Sequence, residues 1–455
     1  EIATFTIDPE DAKDFDDAIS FKKIEGDRYE IGVHIADVSH YVRSGTALDK
    51  EAIKRGTSVY LVDRTIPMLP EILSNDLCSL NPNEDKLTFS AIFEMTSDGE
   101  VLKRWFGRTI INSDKRFSYE EAQKVLDAKE GIFYEELATL NGLAKKLLAK
   151  RFSRGAMSLD QEEVKFILDD SGVPLRVYKK VRGDTHKLIE EFMLLANREV
   201  AEFVSQRERE TKRDHIFVYR IHDEPNTEKV ANLAYFLKTV GYELKLEDGK
   251  INPKELNKML VSLEGKAEKD LIQTAVVRSM AKAVYATKNI GHYGLAFDTY
   301  THFTSPIRRY PDILSHRLIF EYLAGREIKK EMWHEYDVLC TYSSQREKEA
   351  ADAERASIKY KQVEYMSSRV GQTFNGVISG VMEWGIFVQE SETKCEGMVS
   401  VRTLDDDYYT FDEKHYRLVG ERTKKKYTLG DRVRFKVMSA DREKQTLDYA
   451  LVPSV

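Results

Sequence analysis

The chain has 455 residues, with 70 Lys and Arg against 77 Asp and Glu, giving a formal charge of −7. With 42% hydrophobic and 10% aromatic residues it can bury a sizeable core, which excludes a disordered chain, and its length gives room for two or three domains. The acidic balance argues, on average, against a nucleic-acid binder, which is ordinarily basic.

Alternation over Tyr29–Ile35 predicts a strand after a Gly26-Asp27 turn, and further strands are predicted over 58–62 and 87–95. Asp98-Gly99 turns the chain into another over 101–106. Apolar spacing over 47–55 predicts a short helix. From Ser118, which has capping-box spacing to Glu121, the character becomes helical, with helices predicted over 134–152, 186–206, 269–288 and 312–324. The longest is predicted over 334–370, and its charged run from Gln345 to Arg355 reads as a solvated face. After Gly371, five short strands (373–379, 385–389, 397–400, 432–438, 446–450) predict a small closed barrel of the OB type. The expected class is α+β: a mixed body over 1–365, then an all-β barrel over 370–455. Cys78, Cys340 and Cys395 lie too far apart for a disulfide or metal framework, which fits a reducing cytoplasm. No apolar run has the length of a membrane span, and the N-terminus has no signal-peptide pattern. A first residue other than Met is expected of a piece of something longer.

The most informative segment runs from Thr6 to Ser20. It places Asp8, Asp14, Asp16 and Asp17 within ten positions, interleaved with Ile7, Phe15 and Ile19. The apolar residues draw the acids toward a packed interior, where like charges repel unless a cation joins them. An EF-hand fails, because the sixth and twelfth positions counted from Asp8 are Lys13 and Ile19. All-carboxylate ligation without His or Cys points to Mg²⁺ or Mn²⁺, and a pair of such ions about 4 Å apart serves in-line hydrolysis of a phosphodiester. A solvated acidic surface is the plain alternative. Later, Thr304 to Asp312 joins a Pro-stiffened loop carrying Arg308 and Arg309 to a helix start. That arrangement suits phosphate recognition, or else simple capping and ion pairing. His302 and His316 flank the loop, and a lone His is more often structural than catalytic.

With these residues in hand, the chain resembles the RNB family, the ribonuclease II and ribonuclease R exoribonucleases. The resemblance runs through TIDPEDAKDFDDAIS, HIADVSHYV, IPMLPEILSNDLCSL, RGDTHKLIEEFMLLAN, YRIHDEP and HFTSPIRRYPDILSHRLI, in that order. The closing barrel, with GVISGVMEWGIFV and LDDDYYTFDEKHYRLVGE, resembles an S1-like domain in its ribonuclease R version. Family members usually carry cold-shock-type barrels upstream, and none is read in this sequence, as expected of a truncated chain. The resemblance implies 3′→5′ hydrolysis of single-stranded RNA to nucleoside 5′-monophosphates, by a protein that is usually a monomer. It implies that Asp8, Asp14, Asp16 and Asp17 hold Mg²⁺, for which Mn²⁺ can substitute. Asp8 and Asp17 are assigned to the better-held ion, and Asp16 to the second ion and the attacking water. Arg308 matches the arginine on the scissile phosphate, beside Arg309. Tyr60 matches the aromatic under the 3′-terminal base, and Phe166 the second jaw of that clamp. Tyr119 and Glu190 correspond to the sugar-contacting residues, with neighbouring Glu191 as the other choice for the acid.

The barrel adds a signal of its own. From Lys414 to Lys444 there are eleven Lys and Arg against four acids, centred on Lys424, Lys425 and Lys426. Trp384, Phe387, Tyr408 and Tyr409 offer stacking surfaces. Two other classes compete. A catalytically inactive RNA-binding regulator is disfavoured because all four aspartates remain. A hydrolase of small phosphoesters is disfavoured because an RNA-binding barrel would serve no purpose. Residues 1–17 hold seven acids against Lys13, so −6 of the −7 sits in the acidic segment and the other 438 residues sum to −1.

Overall fold

The computed structural model describes residues 2–158, 162–266 and 268–453. A six-stranded sheet organises the first half. β1 (Ala3–Asp8), β2 (Asp17–Ile24) and β3 (Arg28–Ala36) run antiparallel in that order, and Asp85–Thr96 and Val101–Asn112 extend the sheet beyond β3. On the other side, the short strand Lys115–Ser118 pairs in parallel with β1 and sets Ser118 beside Asp8. The sequence reading did not single out β1 and β2, although Ala3–Asp8 alternates apolar and polar residues; both faces of β1 are covered, so Thr4 and Thr6 are buried along with Phe5 and Ile7. Gly26 and Asp27, both at positive φ, make the tight turn between β2 and β3.

Helices cover the sheet. Ala47–Arg55 and Tyr134–Ser153 form where the apolar spacing places them. Ser118 and Glu121 close the capping box that starts Tyr119–Ala128. Helix Asp184–Thr211 buries Leu188, Phe192, Leu195 and Val200, whereas Tyr310–Leu323 is buried on most sides. Two expectations are corrected. The helix expected over 269–288 stops at Ser279, since Val284–Ala286 is a strand paired with Tyr219–Ile221. The strand expected over 58–62 is only Val59–Tyr60, paired with Thr65–Ile66. Helices Thr227–Thr239 and Pro253–Ser262, not read from sequence, pack with Lys269–Ser279 around Leu237, Leu256 and Ile272 as a separate apolar cluster.

Helix Trp333–Ser367 links body and barrel, and its last turns place Val363 and Met366 in the barrel core. Strands Thr373–Met382, Gly385–Glu390, Glu396–Ser400, Arg432–Asp441 and Thr446–Val452 close the barrel around Ile378, Val388, Phe435 and Tyr449. Gly397 is required there, because a Cβ would lie 2.6 Å from the Tyr449 ring. An additional three-stranded sheet (Tyr409–Asp412, Arg417–Gly420, Lys426–Thr428) interrupts the barrel and was not foreseen. Among the described residues no helix is long and apolar enough to cross a membrane.

Candidate active site

The four aspartates gather where β1 ends and β2 begins. Asp8 is the last residue of β1 and Asp17 the first of β2, so the sheet itself holds these two side by side. The intervening loop is pinned rather than loose. Phe15 is buried, its N–H donates to Ser79 Oγ (3.0 Å), and its carbonyl accepts from Leu80 N–H (3.0 Å). Ser79 Oγ donates in turn to the Lys13 carbonyl (2.9 Å), and Ala36 N–H donates to the Asp16 carbonyl (2.9 Å). The interleaved apolar residues thus bury the acids, as their spacing suggested.

Burial dominates the electrostatics. It pushes Asp8 and Asp16 well above the usual carboxylate range, with the charges of neighbouring acids adding to it. Burial also raises Asp14, and lifts Asp17 to about 6 against the opposing charges of Arg308 and Arg309. Among the described residues no three His, Cys, Asp or Glu side chains are arranged to grip one metal ion as they stand. Both Asp16 oxygens are engaged: Oδ1 accepts from Ile307 N–H (2.8 Å) and Oδ2 faces Arg308 Nε at 3.7 Å. The donor chemistry nevertheless fits a hard divalent cation. The set is purely oxygen, its charges repel one another, and Asp8 Oδ2 is buried with no hydrogen-bond partner among the described residues.

The arginine loop meets the acids from the opposite side. Asn197, on helix Asp184–Thr211, accepts from Phe303 N–H (2.8 Å) and donates to the Tyr300 hydroxyl (3.1 Å), which holds the loop's base. Arg308 donates to Ser305 Oγ (3.0 Å) and leaves its guanidinium partly exposed beside Asp16. Arg309 behaves differently from the expectation. It donates to Asp312 Oδ2 (2.7 Å), a fully buried carboxylate that also caps Ser305 N–H (2.8 Å). Buried charges demand partners, so this side chain is committed to the loop's own ion pair. His302 and His316 are structural in the same sense: His302 shares a hydrogen bond with the Tyr285 hydroxyl (2.8 Å), and His316 bonds the Phe303 carbonyl (2.7 Å).

Segment 56–60 is bonded to that loop. Thr57 Oγ1 and Ser58 N–H both donate to the Arg308 carbonyl (2.9 and 3.0 Å), and Tyr310 N–H donates to the Gly56 carbonyl (3.0 Å). Tyr60 therefore stands over the acids with its ring partly exposed and its hydroxyl 3.5 Å from Asp14 Oδ2. Tyr119 stacks on His186 (centroids 4.0 Å apart), and its phenol pKa is raised by burial and by the charges of Asp17 and Asp8. Glu190 pairs with Arg182 (2.6 Å) and stays half-buried, whereas Glu191 is buried against Arg151 (2.5 Å).

Phe166 lies on the hairpin Val164–Leu168/Pro174–Lys179, half-buried and opposite Val177. Among the described residues no hydrogen bond or ring contact joins it to the acids. Lys424 and Lys425, in the connection before the last strand of the additional sheet, and Lys426, its first residue, are exposed, with Lys425 paired to Asp406 (2.9 Å). Trp384 and Tyr408 are exposed, but Tyr409 is not a free stacking surface: it is buried against Tyr427 with its hydroxyl on Asp406. Sequence reasoning missed Arg116, which donates to the carbonyls of Pro9 and Glu10 (2.6 and 2.8 Å) and lowers Asp8 electrostatically. It also missed Ser79. Neither lies near the acids in sequence, and only the parallel pairing of β1 and the return of the chain past Phe15 bring them in.

Residues 1–325 match the RNB domain family and residues 367–450 match the S1 RNA binding domain. The chain is 39% identical to Ribonuclease R 1 of Lactococcus lactis, covering 99% of this chain and 55% of that protein. It is 40% identical to Ribonuclease R of Aquifex aeolicus, covering 98% of this chain and 64% of that one. It therefore spans between about half and two thirds of these relatives' lengths. The fold is similar to that of Mycoplasma genitalium RNase R in complex with ribose methylated single-stranded RNA, with a TM-score of 0.91 and 28% identity, over 99% of this chain and 71% of that one. Acidic strand junction, arginine loop and terminal barrel thus coincide with a match over most of the length, and the chain belongs to the RNB family, beside proteins named ribonuclease R.

Proposed function

We propose that this chain is a 3′→5′ exoribonuclease that hydrolyses single-stranded RNA processively to nucleoside 5′-monophosphates, acting as a cytoplasmic monomer. The observation that carries the reading is the position of Asp16. Bonded to the Ile307 amide and facing Arg308, it is the point where acidic strand junction and cationic loop meet. Phosphodiester hydrolysis needs both kinds of charge within reach of one phosphorus.

Asp8, Asp14, Asp16 and Asp17 would hold Mg²⁺, or Mn²⁺ in its place, which when bound supplies an acidified water and offsets charge on the phosphate. The remaining work belongs to the chain. Arg308 turns its planar fork from Asp16 to the scissile phosphate, where a lysine could make no bidentate contact. The Ile307 amide keeps Asp16 aimed as Arg308 leaves. Tyr60 stacks under the 3′-terminal base and Phe166 closes on the bases behind it, a mode of contact indifferent to sequence. Tyr119 and Glu190 read the ribose hydroxyls; both glutamates are paired with arginine, and Glu190 is preferred because it stays partly exposed whereas Glu191 is buried against Arg151. Lys424, Lys425 and Lys426 draw the RNA backbone to the barrel.

The test is to incubate 5′-labelled single-stranded RNA with the protein and Mg²⁺. A short labelled 5′ core is expected, with unlabelled mononucleotides released from the 3′ end. Intact RNA that stays tightly bound would overturn the proposal in favour of an inactive RNA-binding regulator.

A further inference from the structure

Among the described residues, the hairpin that carries Phe166 is a two-stranded sheet with no third strand to brace it. Such a hairpin is marginal on its own and depends on what fastens its ends. Its turn is held by the long helix, since Lys361 Nζ donates to the Gly172 carbonyl. Its base is held by charge. Glu162, just before the first strand, pairs with Lys179 at the end of the second strand (2.9 Å) and with Lys394 of the barrel (2.8 Å). Lys394 also pairs with Asp270 on helix Lys269–Ser279. One barrel ammonium thus joins three parts of the molecule.

Two features mark this as a built contact rather than a chance surface pair. The Lys394 side chain is only 16% exposed, with both carboxylates partly shielded, so the attraction is less screened than between solvated groups. Burial raises Glu162, yet Lys394 and Lys179 outweigh it and hold the carboxylate at about 2. In addition, Lys394 sits at φ 58°, a backbone region that side chains other than those of Gly, Asn and Asp seldom adopt. Its N–H bonds to the Glu390 carbonyl (3.1 Å), and the preceding Thr393 carbonyl accepts from Gln362 Nε2 of the long helix (3.1 Å). The loop is wedged between helix and hairpin, and backbone strain there is kept with a lysine at its tip.

We propose that Lys394 is a positioning residue that ties the barrel to the Phe166 hairpin, so that RNA held on the barrel enters the aromatic clamp in register. This rests on the exoribonuclease reading. Lys394 pairs with Glu162 and Asp270 and not with the four aspartates of the site; it sets where the jaw stands relative to the barrel.

The experiment has two arms on the whole chain. In the RNA-free protein, hydrogen exchange is followed over residues 164–179. Lys394→Asn, which suits the backbone but removes the ammonium, is expected to speed exchange there by about tenfold. In the kinetic arm, KM for a long single-stranded RNA is expected to rise by about tenfold with kcat nearly unchanged, whereas KM for a tetranucleotide, which enters the clamp but is too short to reach the barrel, rises by much less. Lys394→Arg should restore both readouts, and Glu162→Gln should reproduce the loss from the other side of the contact if Lys394→Asn folds poorly. Unchanged hairpin exchange, or equal effects on long and short RNA, would overturn the proposal. Should the unsubstituted chain hydrolyse no RNA, the functional reading falls, while the exchange arm still decides the tie.

Discussion

Replacing Asp16 by Asn tests the geometry most directly, because it changes charge and almost no volume. The amide oxygen can still accept from Ile307 N–H, but an NH₂ group then faces Arg308 in place of a carboxylate oxygen. At the observed 3.7 Å and an effective dielectric constant of about 20, the lost attraction is about 4 kcal/mol before solvation is counted. Because the Arg308 side chain is 42% exposed, most of this is screened, leaving about 1 kcal/mol. Arg308 is released toward the RNA phosphate, so affinity should hold or tighten, by up to about fivefold. Hydrolysis should fall by about 10³-fold, equivalent to about 4 kcal/mol of transition-state stabilisation. Single-turnover cleavage of 5′-labelled RNA and fluorescence anisotropy separate the two effects. A third readout is free of substrate. Burial raises the Asp16 pKa, so its charge weighs against the folded state at neutral pH, and the ion-free variant should melt higher than the parent. Equal losses in affinity and turnover, or a lower ion-free melting temperature, would refute the reasoning.

Arg309→Ala should act on stability, since it strands the fully buried Asp312; a cost of about 3–5 kcal/mol in urea unfolding is expected, and lost RNA affinity at intact stability would return Arg309 to the substrate. Tyr60→Ala should weaken RNA binding by about 1–3 kcal/mol by anisotropy while Tyr60→Phe keeps it, and equal losses would mean that the hydroxyl near Asp14 matters instead of the ring. His34, buried between Ser20 and Ser90, has its pKa lowered by burial from 6.5 to about 4. Its unfolded form takes up a proton first, so stability present above pH 6.5 is lost as pH falls toward 4, by about 3 kcal/mol. Urea midpoints measured across that window should fall less in His34→Gln; parallel curves would refute the assignment.

Much of the site was legible because its signal is local. The acids sit within ten positions, and the apolar residues between them reveal that the segment is buried. Helix ends with local capping, such as Ser118 with Glu121, were equally readable. What escaped depends on distant partners. Helix Lys269–Ser279 ends where Val284–Ala286 finds a strand at Tyr219–Ile221, a pairing no window of sequence contains. Arg308 and Arg309 look alike as neighbours, and only the folded loop turns one to Asp16 and the other to Asp312. Tyr409 illustrates the same limit, since alternation cannot say which barrel aromatics face inward.

The backbone bonds between segment 56–58 and the arginine loop have a metric consequence. Tyr60 and Arg308 are held to each other through the Arg308 carbonyl and the Gly56 carbonyl, not through their mobile side-chain ends. On the proposed roles, the platform under the last base and the backbone that carries the phosphate-binding fork form a caliper of fixed opening. Such a caliper measures one nucleotide whatever its base, so the step length of degradation is written in main-chain hydrogen bonds and is insensitive to substitutions that leave those bonds in place.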